Sequence, residues 1–317
     1  MSWFYKLLPP QDQAIVVNPM SVPEKKMKKN LSLAMALLAC ATQSLWAQTT
    51  IPQQNPACNR SFTHDRCSYQ SGPVGNLTRH GIVCVPADPV GAPMVMVYHG
   101  HGGCSFQMAL NTRVHDAWPQ AMVVYPDGLP GVATHQDPSG QDTGWQLYPD
   151  QQDNRDVQFT QAAISYLSSV YKTDSTRVYA AGHSNGSRFV GVLWATHSEW
   201  FRAFVFNAAQ AGDLFTLYRD KVPARPLGLT MGKNDCVVPY NAALQCETPV
   251  LNADNYQEAS INLARRALGI AEGATPTQTK QSEFGSQGKE LGLYIHSAGH
   301  EWPSDQTDTA VQFMQRN

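Results

Sequence analysis

The sequence carries little net charge: its 317 residues sum to −2 at pH 7 with histidine counted as neutral. It lacks the strong positive excess with which proteins bind nucleic acids or anionic membrane surfaces. Residues 48–317 contain 18 basic and 23 acidic side chains, a net charge of −5. We therefore expect neither a nucleic acid nor an anionic membrane surface as a partner.

The sequence also lacks an apolar run long enough to span a membrane, which takes about 20 residues. Its apolar run at 31–41 follows the basic segment Met27-Lys28-Lys29-Asn30, an order typical of a secretory signal peptide. We predict that residues 1–47 are leader and signal peptide, with the native start at Met27, and that the protein is secreted or periplasmic. Because Leu37-Leu38-Ala39-Cys40 resembles a lipobox, a lipid anchor on Cys40 is the alternative.

No C-x-x-C pair occurs, and the cysteine spacings match no zinc motif. An even number of cysteines in an exported chain instead indicates disulfides, although six cysteines allow 15 pairings. We favour a local bridge between Cys236 and Cys246, with bridges from either one to Cys58 or Cys67 as the rival, and buried free thiols remain open. The six candidates after the leader are Cys58, Cys67, Cys84, Cys104, Cys236 and Cys246.

No internal repeat, long low-complexity linker or second domain is evident, so residues 48–317 are predicted to form a single domain. Short apolar, β-branched stretches alternate with stretches of helical periodicity, which predicts an α/β fold with a mostly parallel sheet and helices on both faces. The predicted strands are 81–85, 94–98, 121–125, 177–181, 201–206, 227–231 and 291–295. The predicted helices are 156–171, 188–194, 253–268 and 308–314.

The pentapeptide Gly182-His183-Ser184-Asn185-Gly186 is a G-x-S-x-G motif between a predicted strand and a predicted helix. This is the setting of a nucleophile elbow, a sharp turn that exposes a serine at the carboxyl end of the sheet. The turn forces the serine into a strained backbone conformation and leaves no room for side chains two residues to either side. We therefore predict Ser184 as a nucleophile.

An elbow needs an oxyanion hole, and one donor is the backbone N–H that follows the nucleophile, here that of Asn185. The second comes from a loop after an earlier strand, and His99-Gly100-His101-Gly102-Gly103 follows strand 94–98. We predict the N–H of His101 as this donor. His-x-His can also bind zinc, but no third ligand has matching spacing, so we predict neither a metal nor another cofactor.

The nucleophile also needs a base and a carboxylate that orients it, in the order Ser, Asp or Glu, His for this kind of elbow. Asp235 follows the strand 227–231, and His300 lies on a glycine-containing loop after the strand 291–295. We predict these two as the acid and the base. Asp213 and His296 are the weaker alternatives, because Asp213 follows an earlier strand and His296 lies closer to its own.

Three stretches carry a resemblance to a known family: 154–159, 174–186 and 299–303, the last reading Gly-His-Glu-Trp-Pro. They resemble the secreted α/β-hydrolase esterases grouped as poly(3-hydroxybutyrate) depolymerases and feruloyl esterases. The resemblance implies the α/β-hydrolase fold. The chain departs from the family at Met231, where a histidine is common, and at Ser187, which replaces a third glycine. It has no separate polymer-binding module, which favours soluble or short-chain esters.

The resemblance and the motifs together predict a secreted serine esterase that hydrolyses carboxylic esters through an acyl-enzyme. Feruloyl-type esters, hydroxyalkanoate oligomers and related polyester fragments are the candidate substrates, and a monomer is expected. Trp145, Trp302 and His183 are candidate substrate-binding residues, with a core position as the alternative for each tryptophan. A serine peptidase on the same fold and a non-catalytic exported binding protein are the alternative functions.

Overall fold

A computed structural model describes residues 47–49, 58–247, 253–276, 279–285 and 287–317. All of them belong to one compact unit, Ser44–Asn317. The predicted signal peptide and the alternative anchor at Cys40 lie outside the described residues, apart from the backbone of Ala47. Within the described residues, no helix is long and apolar enough to cross a membrane.

Ten strands of the described residues join in one sheet with the order β1-β2-β3-β5-β4-β6-β7-β8-β10-β9. The strands from β5 to β10 in this order run parallel, whereas β1, β2 and β3 at one edge and β9 at the other are antiparallel. In chain order they are β1 (Ala47–Thr49), β2 (Cys67–Val74), β3 (Leu77–Cys84), β4 (Met94–Tyr98), β5 (Met122–Pro126), β6 (Val178–His183), β7 (Ala203–Asn207), β8 (Leu227–Gly232), β9 (Lys280–Phe284) and β10 (Glu290–His296).

Helices cover both faces of this sheet. They are α1 (Ser105–Thr112), α2 (Val114–Ala117), α3 (Arg155–Tyr171), α4 (Asn185–His197), α5 (Asp213–Tyr218), α6 (Ala259–Ala267) and α7 (Gln306–Arg316). Along β4, Met94 and Met96 pack into the core that α3 to α6 complete, while Val95 and Val97 pack into the core under α1, α2 and α7. This two-sided burial explains why β4 is a continuous apolar run. The predicted fold class is confirmed.

Several elements differ from the sequence prediction. Strands β1, β2 and β9 and helices α1, α2 and α5 were not predicted. Strand β2 contains Gly72 and Pro73, and β9 is a polar edge strand, so neither has the apolar pattern of a buried strand. The helix predicted over 253–268 is broken into a 3₁₀ turn at Ala253–Asn255 and α6. The break has a cause: the backbone N–H groups of Gln257 and Glu258 donate to the carbonyls of Pro239 and Tyr240 rather than within a helix.

Candidate active site

Ser184 lies in the tight turn between β6 and α4. Its backbone adopts φ 55° and ψ −121°, a region that residues with a side chain rarely occupy. A Cβ atom on Gly182 would clash with the carbonyl of Gly186, and one on Gly186 would clash with the carbonyls of Tyr98 and His99. The two glycines of the motif are therefore required by the close approach of the backbone on both sides of the serine.

The structure brings the three predicted residues of the triad together. The distance from Ser184 Oγ to His300 Nε2 is 2.7 Å, and the distance from His300 Nδ1 to Asp235 Oδ2 is also 2.7 Å. The three side chains follow β6, β8 and β10, whose carboxyl ends meet at one edge of the sheet. This geometry suits proton transfer from the serine hydroxyl to the imidazole.

Asp235 is fully buried, and hydrogen bonds hold both of its carboxylate oxygens. Oδ1 accepts the backbone N–H groups of Val237 and Val238 at 2.8 and 2.9 Å, and Oδ2 accepts the side-chain amide of Gln257 at 2.8 Å. These donors fix the rotation of the carboxylate, so that Oδ2 faces His300. Sequence reasoning missed Gln257, since no motif marks a glutamine that reaches the site from before α6.

The alternative acid and base lie outside these contacts. Asp213 begins α5 and pairs with Arg188 at 3.0 Å. His296 is buried at the end of β10, where burial lowers the pKa of its imidazole. The arrangement of the site therefore favours the predicted pair, Asp235 and His300.

Two further histidines support the site in their neutral forms. His183 Nδ1 lies 2.7 Å from Asn207 Oδ1, and its ring centroid is 5.1 Å from that of His300. Burial, followed by the charge of His300, lowers the pKa of His183 to about 4. His99 is buried as well, and its Nε2 accepts the N–H of Gly128 at 2.8 Å, which braces the loop after β4.

The loop 99–103 lies beside the elbow, where the predicted oxyanion donors would be needed. Its Gly102 and Gly103 amides donate to the carbonyls of Thr143 and Gly100. No acceptor is found for the amides of His101 and Asn185 within the described residues. The amides of His101 and Asn185 therefore remain the predicted donors to a substrate oxygen.

The segment 129–145 braces both predicted donors, a feature that the sequence did not reveal. Asp137 Oδ2 lies 3.1 Å from Nε2 of His101. The side-chain amide of Asn185 accepts the backbone N–H of Trp145 at 2.8 Å and donates to its carbonyl at 3.1 Å. The loop after β4 and the turn after Ser184 are thus tied to the same segment.

Trp145 does not line either cleft at Ser184, which corrects its candidacy as a substrate-binding residue in favour of the alternative, a core position. Its side chain is fully buried, stacks on Phe189, and donates its indole N–H to the carbonyl of His99 at 2.9 Å. It is a core residue that supports the loop from behind. Trp302 and His183, by contrast, do line a cleft at Ser184.

Ser184 lies where two clefts meet. The first, which we call the polar cleft, has a volume of about 630 Å³ and contains His300. The second, the apolar cleft, has a volume of about 260 Å³ and contains Asn185. Side chains that line the polar cleft include Gln107, Asn111, Gln136, Asp142, Glu301 and Trp302. Side chains that line the apolar cleft include Leu147, Arg188, Ala209, Val237, Val238 and Pro239.

Two groups of three side chains in the described residues have the spacing of metal ligands. In one, Asp137 Oδ2 already accepts the backbone N–H of Asp142 as well as contacting His101. In the other, His64 and His115 are grouped with Cys67, whose sulfur is part of a disulfide. Hydrogen bonds and a covalent bond therefore account for both arrangements.

All six candidate cysteines are paired in the structure. The bridges are Cys236–Cys246, Cys58–Cys104 and Cys67–Cys84. The first is the favoured local bridge, and it encloses the segment directly after Asp235. Cys104 follows the loop 99–103 and is the N-cap residue of α1, so its bridge anchors that loop to the N-terminal segment.

The double variant Cys236→Ser/Cys246→Ser is expected to lose up to about 3 kcal/mol of unfolding free energy, the entropic value for a loop of this size. The bridge limits the motion of the segment whose amides hold Asp235, so kcat should fall more than KM rises. Thermal unfolding and ester kinetics measure the two effects. The matched control is Cys67→Ser/Cys84→Ser, whose bridge joins β2 to β3. This variant should also lose stability, but its kcat should fall by no larger a factor than its KM rises. Equal kinetic effects of both pairs would contradict the prediction.

The protein is expected to lose stability as pH falls from about 6.5 to about 4. Burial lowers the pKa of His183 and of His115 to about 4, and it also lowers the pKa values of His99 and His296. In the unfolded chain these imidazoles take up protons near pH 6.5, so the unfolded state binds more protons over this interval. The melting temperature, measured stepwise from about pH 7 to pH 4.5, should fall, and His115→Gln should make the fall shallower. A constant melting temperature would contradict this.

Comparison with known proteins places these features in context. No protein-family profile matches the chain. The putative esterase NocK of Nocardia uniformis subsp. tsuyamanensis is 27% identical over 250 residues, which cover 71% of this chain and 69% of that protein. Feruloyl esterase B of Piromyces equi is 32% identical over 166 residues, which cover 48% of this chain and 28% of that protein. An S-formylglutathione hydrolase structure from Agrobacterium tumefaciens matches with a TM-score of 0.55 at 13% identity, covering 84% of this chain and 99% of that one.

The sheet order and the elbow after β6 give the chain the α/β-hydrolase fold, which the solved structure shares. Both curated relatives are named esterases. The chain is therefore an enzyme with the α/β-hydrolase fold that resembles esterases, and the predicted resemblance is confirmed.

Proposed function

We propose that this protein is an exported serine esterase that hydrolyses carboxylic esters. The observation that carries the proposal is the continuous set of contacts from Ser184 through His300 to Asp235, each 2.7 Å long, at the junction of two clefts. The esterase names of the two relatives support the same activity. Three disulfides support export, because such bonds persist in oxidising compartments.

The proposed reaction has two halves. Ser184 Oγ attacks the ester carbonyl while His300 Nε2 takes its proton, and Asp235 stabilises the imidazolium that forms. The N–H groups of Asn185 and His101 stabilise the oxyanion of the tetrahedral intermediate. His300 then gives its proton to the leaving alcohol oxygen, which leaves an acyl-serine. A water molecule then attacks this acyl-serine while His300 takes its proton, and His300 gives that proton to Ser184 Oγ as the carboxylic acid leaves, which restores the free enzyme.

The proposed substrates are feruloyl-type esters, hydroxyalkanoate oligomers and related polyester fragments. The polar cleft contains several amide and acidic side chains, together with Trp302, and it can hydrogen-bond a hydroxylated alcohol. The two clefts are small enough to favour soluble esters over a polymer surface. One of the two curated relatives is named a feruloyl esterase.

The test is hydrolysis of p-nitrophenyl acetate and butyrate by the purified protein, compared with hydrolysis of a peptide p-nitroanilide. Ester turnover that a serine-reactive phosphonate abolishes, with little peptide turnover, would support the proposal. Absence of turnover on both esters by folded protein would overturn it. A panel of methyl ferulate, hydroxybutyrate dimers and aromatic diester fragments then ranks the proposed substrates by kcat/KM.

A further inference from the structure

The position of His300 distinguishes the two clefts, if the proposed esterase reaction is accepted. The leaving alcohol must receive its proton from His300, so its oxygen must lie within hydrogen-bond reach of that imidazole. His300 lines the polar cleft, and the apolar cleft is lined by Asn185 instead. The alcohol therefore occupies the polar cleft, and the acyl group occupies the apolar cleft.

Arg188 gives the apolar cleft a polar group. It lies four residues after Ser184 on α4, which is about 6 Å along the helix axis. Its side chain is 15% exposed and lines the cleft beside Leu147 and Ala209. The lining that surrounds an acyl group in this cleft thus includes an arginine, beside neutral polar residues such as Gln136 and Asn255.

This guanidinium is held in place by fixed partners. It donates to Asn255 Oδ1 at 2.6 Å and to Asp213 Oδ1 at 3.0 Å. The bonds to Asn255 and Asp213 use two of the five N–H groups that an arginine carries. The carboxylate of Asp213 also balances the positive charge, so the cleft offers hydrogen-bond donors without net charge.

We propose that Arg188 makes the enzyme selective for esters whose acyl group combines an apolar body with a neutral hydrogen-bond acceptor at its far end. Keto, hydroxyl, phenol and ether oxygens are acceptors of this kind. An acyl group that ends in a carboxylate should bind little better than a simple alkanoyl group, because Asp213 already neutralises the guanidinium and repels a second negative charge. Simple alkanoyl groups fit the cleft but leave the donor of Arg188 without a partner, which costs binding free energy.

The test compares three p-nitrophenyl esters: pentanoate, 4-oxopentanoate and hemisuccinate. All three esters share one leaving group, so contacts in the polar cleft contribute equally to their kcat/KM. Each kcat/KM is then divided by the rate constant of alkaline hydrolysis of the same ester. We expect wild-type protein to prefer 4-oxopentanoate to pentanoate by about tenfold or more, the effect of one hydrogen bond from a charged donor. Hemisuccinate should not exceed pentanoate. Arg188→Met should reduce the ratio of 4-oxopentanoate to pentanoate to about 1.

Two further variants keep the test informative if Arg188→Met does not fold. Asp213→Asn removes the balancing charge, so hemisuccinate should improve about tenfold relative to pentanoate. Arg219→Met, at a partly exposed arginine after α5, is the matched control and should keep the wild-type ratios. Equal turnover of pentanoate and 4-oxopentanoate by wild type, or an unchanged hemisuccinate ratio in Asp213→Asn, would overturn the inference. Absence of turnover on all three esters would instead overturn the proposed function.

Discussion

Ser184→Ala is expected to lower kcat for ester hydrolysis by about 10⁴-fold or more, with little change in KM. The variant loses the oxygen that forms the acyl-enzyme, while the oxyanion donors and both clefts stay in place. Alanine at this position keeps the strained φ of 55°, so the fold should be retained. Steady-state kinetics with p-nitrophenyl butyrate, together with circular dichroism, measures both effects.

The control for this variant is Ser187→Ala, one turn further along the same helix. Ser187 is fully buried and donates its hydroxyl to the carbonyl of Ala209, so its loss should affect stability more than the chemical step. A fluorophosphonate should label wild type and Ser187→Ala on Ser184 and should not label Ser184→Ala. Labelling of any other serine, or an alanine variant with near wild-type kcat, would refute the assignment of the nucleophile.

Asp235→Asn is expected to lower kcat by about 10⁴-fold at neutral pH, although the two side chains have nearly the same shape. The backbone N–H groups of Val237 and Val238 donate to Oδ1, so they select the orientation that places the amide oxygen there. The amide nitrogen then faces His300 and requires a lone pair on Nδ1. That tautomer carries its proton on Nε2, where it cannot accept the proton of Ser184.

The measurement for Asp235→Asn is kcat together with the rate of phosphonate labelling at Ser184, and both should fall in parallel. Gln257 keeps one of its hydrogen bonds in this variant, because its Nε2 donates to the carbonyl of Val238 at 2.6 Å as well as to Asp235 Oδ2. Stability should therefore fall less than activity. Asp220→Asn, an exposed carboxylate after α5, is the control and should behave as wild type. An Asp235→Asn variant with kcat within about tenfold of wild type would exclude this carboxylate as the partner of the base.

Much of the central sheet is predictable from the sequence, because buried parallel strands are short apolar runs that are rich in β-branched residues. The three triad residues were selected in the same way, since each follows such a strand and they come in the expected order. The elbow can also be recognised from the sequence, because only glycine tolerates the contacts found at positions 182 and 186. All of these features depend on the order of residue types over a few neighbouring positions, which the sequence shows directly.

The parts that were missed depend on side-chain direction and on distant partners. Trp145 was a candidate for the substrate cleft with the core as the alternative, because an aromatic residue suits both and its position in the sequence does not reveal which way its side chain points. Gln257 and Asp137 reach the site from segments that are remote in sequence, 22 and 36 residues from the side chains that they contact. Strand β2 is interrupted by Gly72 and Pro73, and the edge strand β9 is polar, so neither shows a clear alternation of apolar residues.

The spread of the triad along the chain has a consequence for how activity arises during folding. Ser184 and His300 are 116 residues apart, and Asp235 and His300 are 65 residues apart. Closing such a long loop has an entropy cost that contacts in the surrounding structure must offset first. The contacts between these side chains are therefore slow to form. A growing polypeptide has no base until residue 300 has been synthesised, and it has no aligned base until β10 has docked on β8. Recovered turnover after dilution from denaturant should therefore lag behind the return of helical signal and serve as a reporter of the last step of assembly.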